Sequence, residues 1–204
     1  MIESFYHAEH STMVFPRYDM NLRQVLKKYG RGVGIKLDAL RIYAAQLLTS
    51  LKQLRHLGIV HADIKPDNIL VTADKRKVML CDFGSADDVK NCEITPYLVS
   101  RYYRAPEISL GHEYGCAIDV WAIATTLFEM YSGDFMFKGE SNNDMLKMIQ
   151  DIKGPFSTKM IRRSTLRETH FEVRDPTTLT TLQQDVAPIT SDCGKMRSPS
   201  IKWP

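Results

Sequence analysis

Apolar residues at Leu37, Leu40, Ala44, Leu47, Leu48, Leu51 and Leu54 recur at three- and four-residue intervals, the spacing of one helix face. The stripe predicts a core helix over 36–57, with Gly58 as its C-cap. A second buried helix is predicted over 117–131 and an amphipathic one over 142–152. Short apolar runs at Ile59-Val60, Ile69 to Val71 and Val78 to Cys81 each adjoin a polar loop and read as strands. Two more β-like runs, Ser4 to His7 and Thr12 to Phe15, flank the polar Ala8-Glu9-His10-Ser11. Asn21 is placed to cap a short helix through Lys28. Past Phe171 the periodicity dissolves into Thr, Pro, Ser, Gly and charged residues, and no internal repeat is visible.

The segment Tyr29-Gly30-Arg31-Gly32-Val33-Gly34 invites a nucleotide-loop reading. Its third glycine comes one residue early for G-x-G-x-x-G, and it joins two helices instead of following a strand. A flexible helix-to-helix connector is the better expectation.

Composition narrows the class. With 44% hydrophobic residues, 25% charged residues and a net charge of +3 in 204 residues, the chain folds, and it lacks the concentrated basic face of a nucleic-acid binder. No apolar run approaches the roughly 20 residues of a bilayer span. The best stretch, 116–131, carries Asp119 and Glu129. The first four residues do not begin a secretory signal. Cysteines at 81, 92, 116 and 193 have neither metal-ligand spacing nor disulfide-scaffold density. The expectation is a soluble protein of a reducing compartment, without direct nucleic-acid or membrane partners.

Three clusters carry the chemistry: His61-Ala62-Asp63-Ile64-Lys65-Pro66-Asp67-Asn68, then Asp82-Phe83-Gly84, then Arg104-Ala105-Pro106-Glu107. An Asp-Phe-Gly triplet alone means little. All three in this order, between a long helix and a second buried helix, resemble the catalytic loop, metal loop and activation-segment end of a protein kinase.

That resemblance implies an α+β, protein-kinase-like fold, mostly the helical large lobe with a remnant of the small-lobe sheet. Residues 1–19 would hold the remnant and hinge, 20–171 the large lobe, and 172–204 a divergent, disordered tail. Asp63 would orient the substrate hydroxyl, Lys65 would reach the transferring phosphoryl group, and Asn68 and Asp82 would hold magnesium through hard oxygen ligands. Leu70 would floor the adenine of ATP, with Phe15 as gatekeeper and the backbone of Pro16 and Tyr18 along the adenine edge. Asp119 would bind the backbone of the catalytic loop, and His61 would be structural. Cys81 reads as a small core residue.

Ala62 stands where most kinases place Arg, so activation is expected to bypass a phosphate contact there. The run Thr95-Pro96-Tyr97-Leu98-Val99-Ser100-Arg101-Tyr102-Tyr103-Arg104 resembles the CMGC group, near the dual-specificity tyrosine-regulated kinases. That likeness implies phosphorylation of Tyr97, held by Arg101 and Arg104. Residues 20–30, 61–71, 80–86, 94–107 and 142–153 together are similar to the family of spliceosomal kinases of pre-mRNA-processing factor four. This implies a nuclear serine/threonine kinase whose protein partners are splicing factors.

A glycine-rich phosphate loop, a strand lysine and its helix glutamate cannot be placed, so the kinase domain is expected to be cut at both ends. Glu107 would then lack its usual arginine partner, with Arg162, Arg163 or Arg174 as substitutes. Two readings stay open: an ATP-dependent serine/threonine kinase, or a catalytically impaired fragment that acts as a binding module.

Overall fold

The computed structural model describes residues 1–173 and 186–188. Strands β1 (Glu3–His7) and β2 (His10–Val14) form an antiparallel hairpin. The turn is only Ala8-Glu9, and both residues have positive φ, as a two-residue hairpin turn requires. His10 and Ser11 therefore belong to the second strand, and Phe15 falls outside it. The hairpin buries little: Tyr6 is 81% exposed and Met13 59%.

A short strand β3 (Met20–Asn21) leads into α1 (Leu22–Tyr29). Asn21 caps this helix as expected, in a reciprocal capping box with Gln24. The long helix α2 (Leu37–Leu57) ends at Gly58, which adopts the left-handed conformation. It is followed by β4 (Ile59–Val60), β5 (Ile69–Val71), β6 (Val78–Leu80) and β7 (Asp87–Asp88). Strands β3, β5 and β6 form one sheet in that order, and β4 pairs with β7.

The remainder is α3 (Pro106–Ser109), α4 (Ala117–Ser132), α5 (Asn142–Lys153), α6 (Thr158–Arg163) and α7 (Arg167–His170). Last comes the pair β8 (Phe171–Val173) and β9 (Val186–Pro188). Most of the segment 172–204, for which a disordered tail was expected, lies outside the described residues.

The main core joins Leu40, Tyr43, Leu47 and Leu51 of α2 to Ile118, Ala122, Ile123 and Met130 of α4, with Leu22, Val25 and Leu26 of α1 and the sheet residues Ile69, Val71, Val78 and Leu80. Leu37 and Leu48, counted in the sequence stripe, lie about half exposed at 48% and 49%, and Tyr43 takes their place inside. The glycine-rich connector packs against the end of α4 at Gly34. A Cβ on Gly34 (φ 82°) would sit 1.8 Å from the Tyr131 carbonyl oxygen, and one on Gly133 would sit 2.6 Å from the Val33 nitrogen. The glycines allow two backbones to touch, anchored by the Ile35 N–H donating to the Met130 carbonyl at 2.7 Å.

Candidate active site

The loop after β4 turns sharply. Ala62 has φ 63°, a strained value that a non-glycine residue keeps only when its surroundings enforce it. The enforcement comes from the first turn of α4. The Asp119 carboxylate, 2% exposed, accepts the His61 N–H at 2.8 Å and the Ala62 N–H at 3.0 Å. Burial pushes the Asp119 carboxyl above its ordinary range, and those two backbone donors work against the rise. His61 is fully buried; its Nδ1 accepts the Asp63 N–H at 3.4 Å, so its Nε2 donates to the Cys81 carbonyl at 3.1 Å. Its ring also meets that of Phe83 at 4.7 Å. The histidine thus ties the loop of Asp63 to the strand end before Asp82 and is structural. Burial raises the Cys81 thiol, as suits a small packed residue.

Asp63, Lys65 and Asn68 converge. Asp63 Oδ2 accepts from Lys65 Nζ at 2.8 Å and from Asn68 Nδ2 at 2.9 Å. A fourth residue, Ser100, completes the group: its hydroxyl donates to Asp63 Oδ1 at 3.1 Å and accepts from Lys65 Nζ at 3.2 Å. Ser100 had no role in the sequence reading, because nothing local shows that residue 100 folds back onto residue 63. The Asn68 amide also donates to the Asp63 carbonyl at 2.9 Å. Both contacts use Nδ2, which leaves Oδ1 as an available oxygen donor.

Asp82 is exposed and has φ 61°; its Oδ1 accepts the Gly84 N–H at 3.3 Å. The Cys81 N–H donates to the Asn68 carbonyl at 3.0 Å, so Asp82 follows directly on a residue bonded to Asn68, and a carboxylate and an amide offer few but hard oxygen donors. That suits a hard cation that completes its shell with water and phosphate oxygens, so the residues present fit the expected metal. Among the described residues no group of three or more His, Cys, Asp or Glu could hold a metal on its own.

Leu70 is half-buried and pairs with Met79 across β5 and β6; the Tyr18 hydroxyl donates to Met79 Sδ at 3.1 Å. These three form one apolar wall beside the catalytic loop. Phe15 and Pro16 are exposed, Phe15 by 58%, and no hydrogen bond or ring contact joins them to the Asp63 cluster.

The segment before Arg104 is held by one side chain. The Arg104 guanidinium donates to the carbonyls of Leu98 (2.9 Å), Tyr97 (3.3 Å) and Val99 (3.0 Å), and to Asn142 Oδ1 at 2.7 Å. Burial lowers its pKa, and the field of Arg101 adds to the effect. Val99, a β-branched residue, sits at φ 66°, and its carbonyl is turned into this guanidinium. The Tyr97 side chain is 77% exposed, and exposed Arg101 donates to the Glu140 carbonyl.

A second polar cluster was not foreseen. Arg23 of α1 pairs with Glu129, which is 2% exposed, and with Asp67 at 3.3 Å. It donates to the Tyr103 hydroxyl at 2.6 Å, which in turn donates to Glu129 Oε2 at 2.6 Å, and it lies 5.4 Å from the Phe135 ring centre. Burial alone would lower the Arg23 pKa, but the Glu129 hydrogen bond and the nearby negative charge outweigh it and raise it. Glu107 lacks its usual arginine partner among the described residues, as expected. Neither Arg162 nor Arg163 substitutes; Arg174 lies outside the described residues.

Comparison with known proteins agrees with this geometry. The family described as "Protein kinase domain" matches residues 1–195. The serine/threonine-protein kinase prp4 of Schizosaccharomyces pombe is 48% identical over 82% of this chain and 35% of its own length. The serine/threonine-protein kinase prpf4B of Dictyostelium discoideum is 47% identical over 84% of this chain and 21% of its own. Homeodomain-interacting protein kinase 1 of Mus musculus is 36% identical over 85% of this chain and 14% of its own. The chain spans about a third or less of these relatives' lengths. Protein kinases use ATP and a divalent metal, and act on protein substrates. With the family match over nearly its whole length and Asp63, Lys65 and Asn68 assembled around one carboxylate, the chain belongs to the protein kinase family.

Proposed function

We propose that this chain carries the catalytic centre of a serine/threonine kinase that transfers the terminal phosphoryl group of Mg-ATP to protein serine or threonine. The observation that carries the reading is the Asp63–Lys65–Asn68–Ser100 cluster. Asp63 Oδ1 faces the Ser100 hydroxyl at 3.1 Å, so this oxygen already accepts from an aliphatic alcohol, the group a substrate serine or threonine would bring. Lys65 neutralises the other carboxylate oxygen and stands ready for the negative charge of a transferring phosphoryl group. Asn68 Oδ1 and Asp82 would hold magnesium, which when bound offsets phosphate charge. Leu70 would lie beneath the adenine, with the backbone of Pro16 and Tyr18 at its edge and Phe15 behind.

Substrate preference follows from Val99. Ser100 touches Asp63, so the residue after the phosphoacceptor would lie beside Val99, whose carbonyl is already taken by Arg104. A following residue with a backbone N–H would find no acceptor there, whereas proline has no N–H to satisfy. The favoured sites are Ser-Pro and Thr-Pro. The likeness to prp4 and prpf4B kinases supports nuclear splicing proteins as substrates.

Phosphorylation of Tyr97 would place its phosphate beside Arg101. Arg104 would contribute charge more than donors, because its nitrogens are already engaged by backbone carbonyls and Asn142.

The test is radiolabelled phosphate transfer to paired peptides, by protein that contains this segment. Ser-Pro peptide should be labelled well above Ser-Ala peptide, and Asp63→Asn should lower the rate by about 10²–10⁴-fold. Undiminished transfer by Asp63→Asn would refute the assignment.

A further inference from the structure

We propose that the space beneath the activation segment is a binding site for a guanidinium or ammonium group on an apolar stem. A cavity of about 460 Å³ opens between the catalytic loop and the segment 85–98, within the size range of small-ligand sites. Neither Asp63 nor Asp82 lines it.

Its inner wall is apolar, built from Val60, Ala62 and Leu98. Two carboxylates, Asp87 and Glu93, stand at its polar side, and among the described residues no Lys, Arg or His lines it. Asp87 already accepts from the Asp88 N–H and from Asn91 Nδ2, whereas the Glu93 carboxylate has no hydrogen bond or ion pair among the described residues. An anion would meet these carboxylates without a counter-charge, and a wholly apolar ligand would desolvate them; a cation with an apolar stem satisfies both walls.

A small residue, Ala62, forms part of the cavity lining. Ala62 is 4% exposed and its side chain ends at the cavity wall, so the room for a long cationic side chain at this position is left unfilled by the chain itself. A phosphate on Thr95, which also lines the space, would find no cation among the described residues that line it, which sets this surface apart from the Arg101 side of the segment. Because the occupant would touch both the residue before Asp63 and the strand residue Asp87, its binding would tie the activation segment to the catalytic loop. The proposal stands on the cavity and does not depend on phosphoryl transfer.

The same chemistry can come from an arginine side chain of a protein partner or from a free polyamine. Methyl-labelled protein (Ala and Ile) titrated with N-acetylarginine amide should shift the Ala62 and Ile94 signals. The neutral citrulline analogue, which has the same shape, should bind about fivefold more weakly or less. Spermidine forms the second arm, and whichever of the two cations binds more tightly identifies the source. Glu93→Gln, a change at an exposed residue, should narrow the gap between the arginine and citrulline affinities, with Asp87 keeping the remainder. Ala62→Arg, which keeps a Cβ at the same backbone angle and extends into the space, should abolish the arginine-induced shift at Ile94, the signal that remains in this variant. Equal binding of citrulline and arginine, arginine binding that survives Ala62→Arg, or no shift at Ala62 and Ile94 in either arm would each overturn the proposal.

Discussion

Replacing Asp119 by Ala tests how the catalytic loop is held. The carboxylate is 2% exposed and receives two backbone N–H groups, from His61 at 2.8 Å and Ala62 at 3.0 Å. Alanine leaves both donors buried without an acceptor, at about 1–3 kcal/mol each. Removing the carboxylate also removes its own desolvation penalty, so a net loss of about 3 kcal/mol is expected. For a urea slope of about 2 kcal/mol/M, the denaturation midpoint should fall by about 1.5 M.

Amide exchange at His61 and Ala62 should quicken more than exchange within α2, because the strained φ of Ala62 loses its restraint. Asp119→Asn keeps one acceptor but turns an NH₂ toward a donor, and should lose a similar amount. The pH dependence has a definite sign. Burial raises the Asp119 carboxyl, so the folded state holds its proton more tightly than the unfolded chain. The group's contribution therefore declines as pH rises from the unfolded value near 3.9 through the folded one, and the alanine variant lacks that decline. A midpoint shift below about 0.3 M, with unchanged exchange at residues 61 and 62, would refute the reasoning.

Other outcomes follow from the same contacts. Arg23→Ala leaves Glu129 buried without its cation and should cost about 3–5 kcal/mol, read by urea denaturation, and adding Glu129→Leu should recover part of the loss. Gly34→Ala drives a Cβ into the Tyr131 carbonyl at positive φ and should lower Tm by several degrees in calorimetry; Gly32→Ala, which meets nothing within 4 Å, should show a smaller drop. Burial lowers the His170 pKa, so the unfolded chain takes up the proton first. Stability should fall as pH drops from about 6.5 toward the folded value, and His170→Gln should flatten that slope in denaturation at stepped pH. Ser100→Ala removes a partner of both Asp63 and Lys65, and in the transfer assay it should lower the rate about tenfold while leaving the urea midpoint within about 0.5 M.

Much of the fold was legible in the order of residues. The α2 stripe, the Gly58 cap, the Asn21 cap and the helices near 117–132 and 142–153 depend on local periodicity and hydrogen bonding, which sequence displays directly. The β2 boundary was missed because a two-residue turn with positive φ needs no glycine when the strands fix it. Leu48 was misplaced because an apolar residue at helical spacing does not show which face a neighbour will cover.

By itself the sequence determined which groups could do chemistry: Asp63, Lys65, Asn68 and Asp82 lie within short motifs whose residue types suit phosphoryl transfer. Tertiary structure alone decided their company. It brought Ser100 onto Asp63 across 37 positions and threaded Arg23 between Asp67 and Glu129, whereas the contact of Asp119 with the loop was already implied by the resemblance. It also showed that the glycines at 34 and 133 let two backbones touch. Such pairings form only when packed helices bring distant segments within about 3 Å, and a periodicity that repeats every few residues carries no record of them.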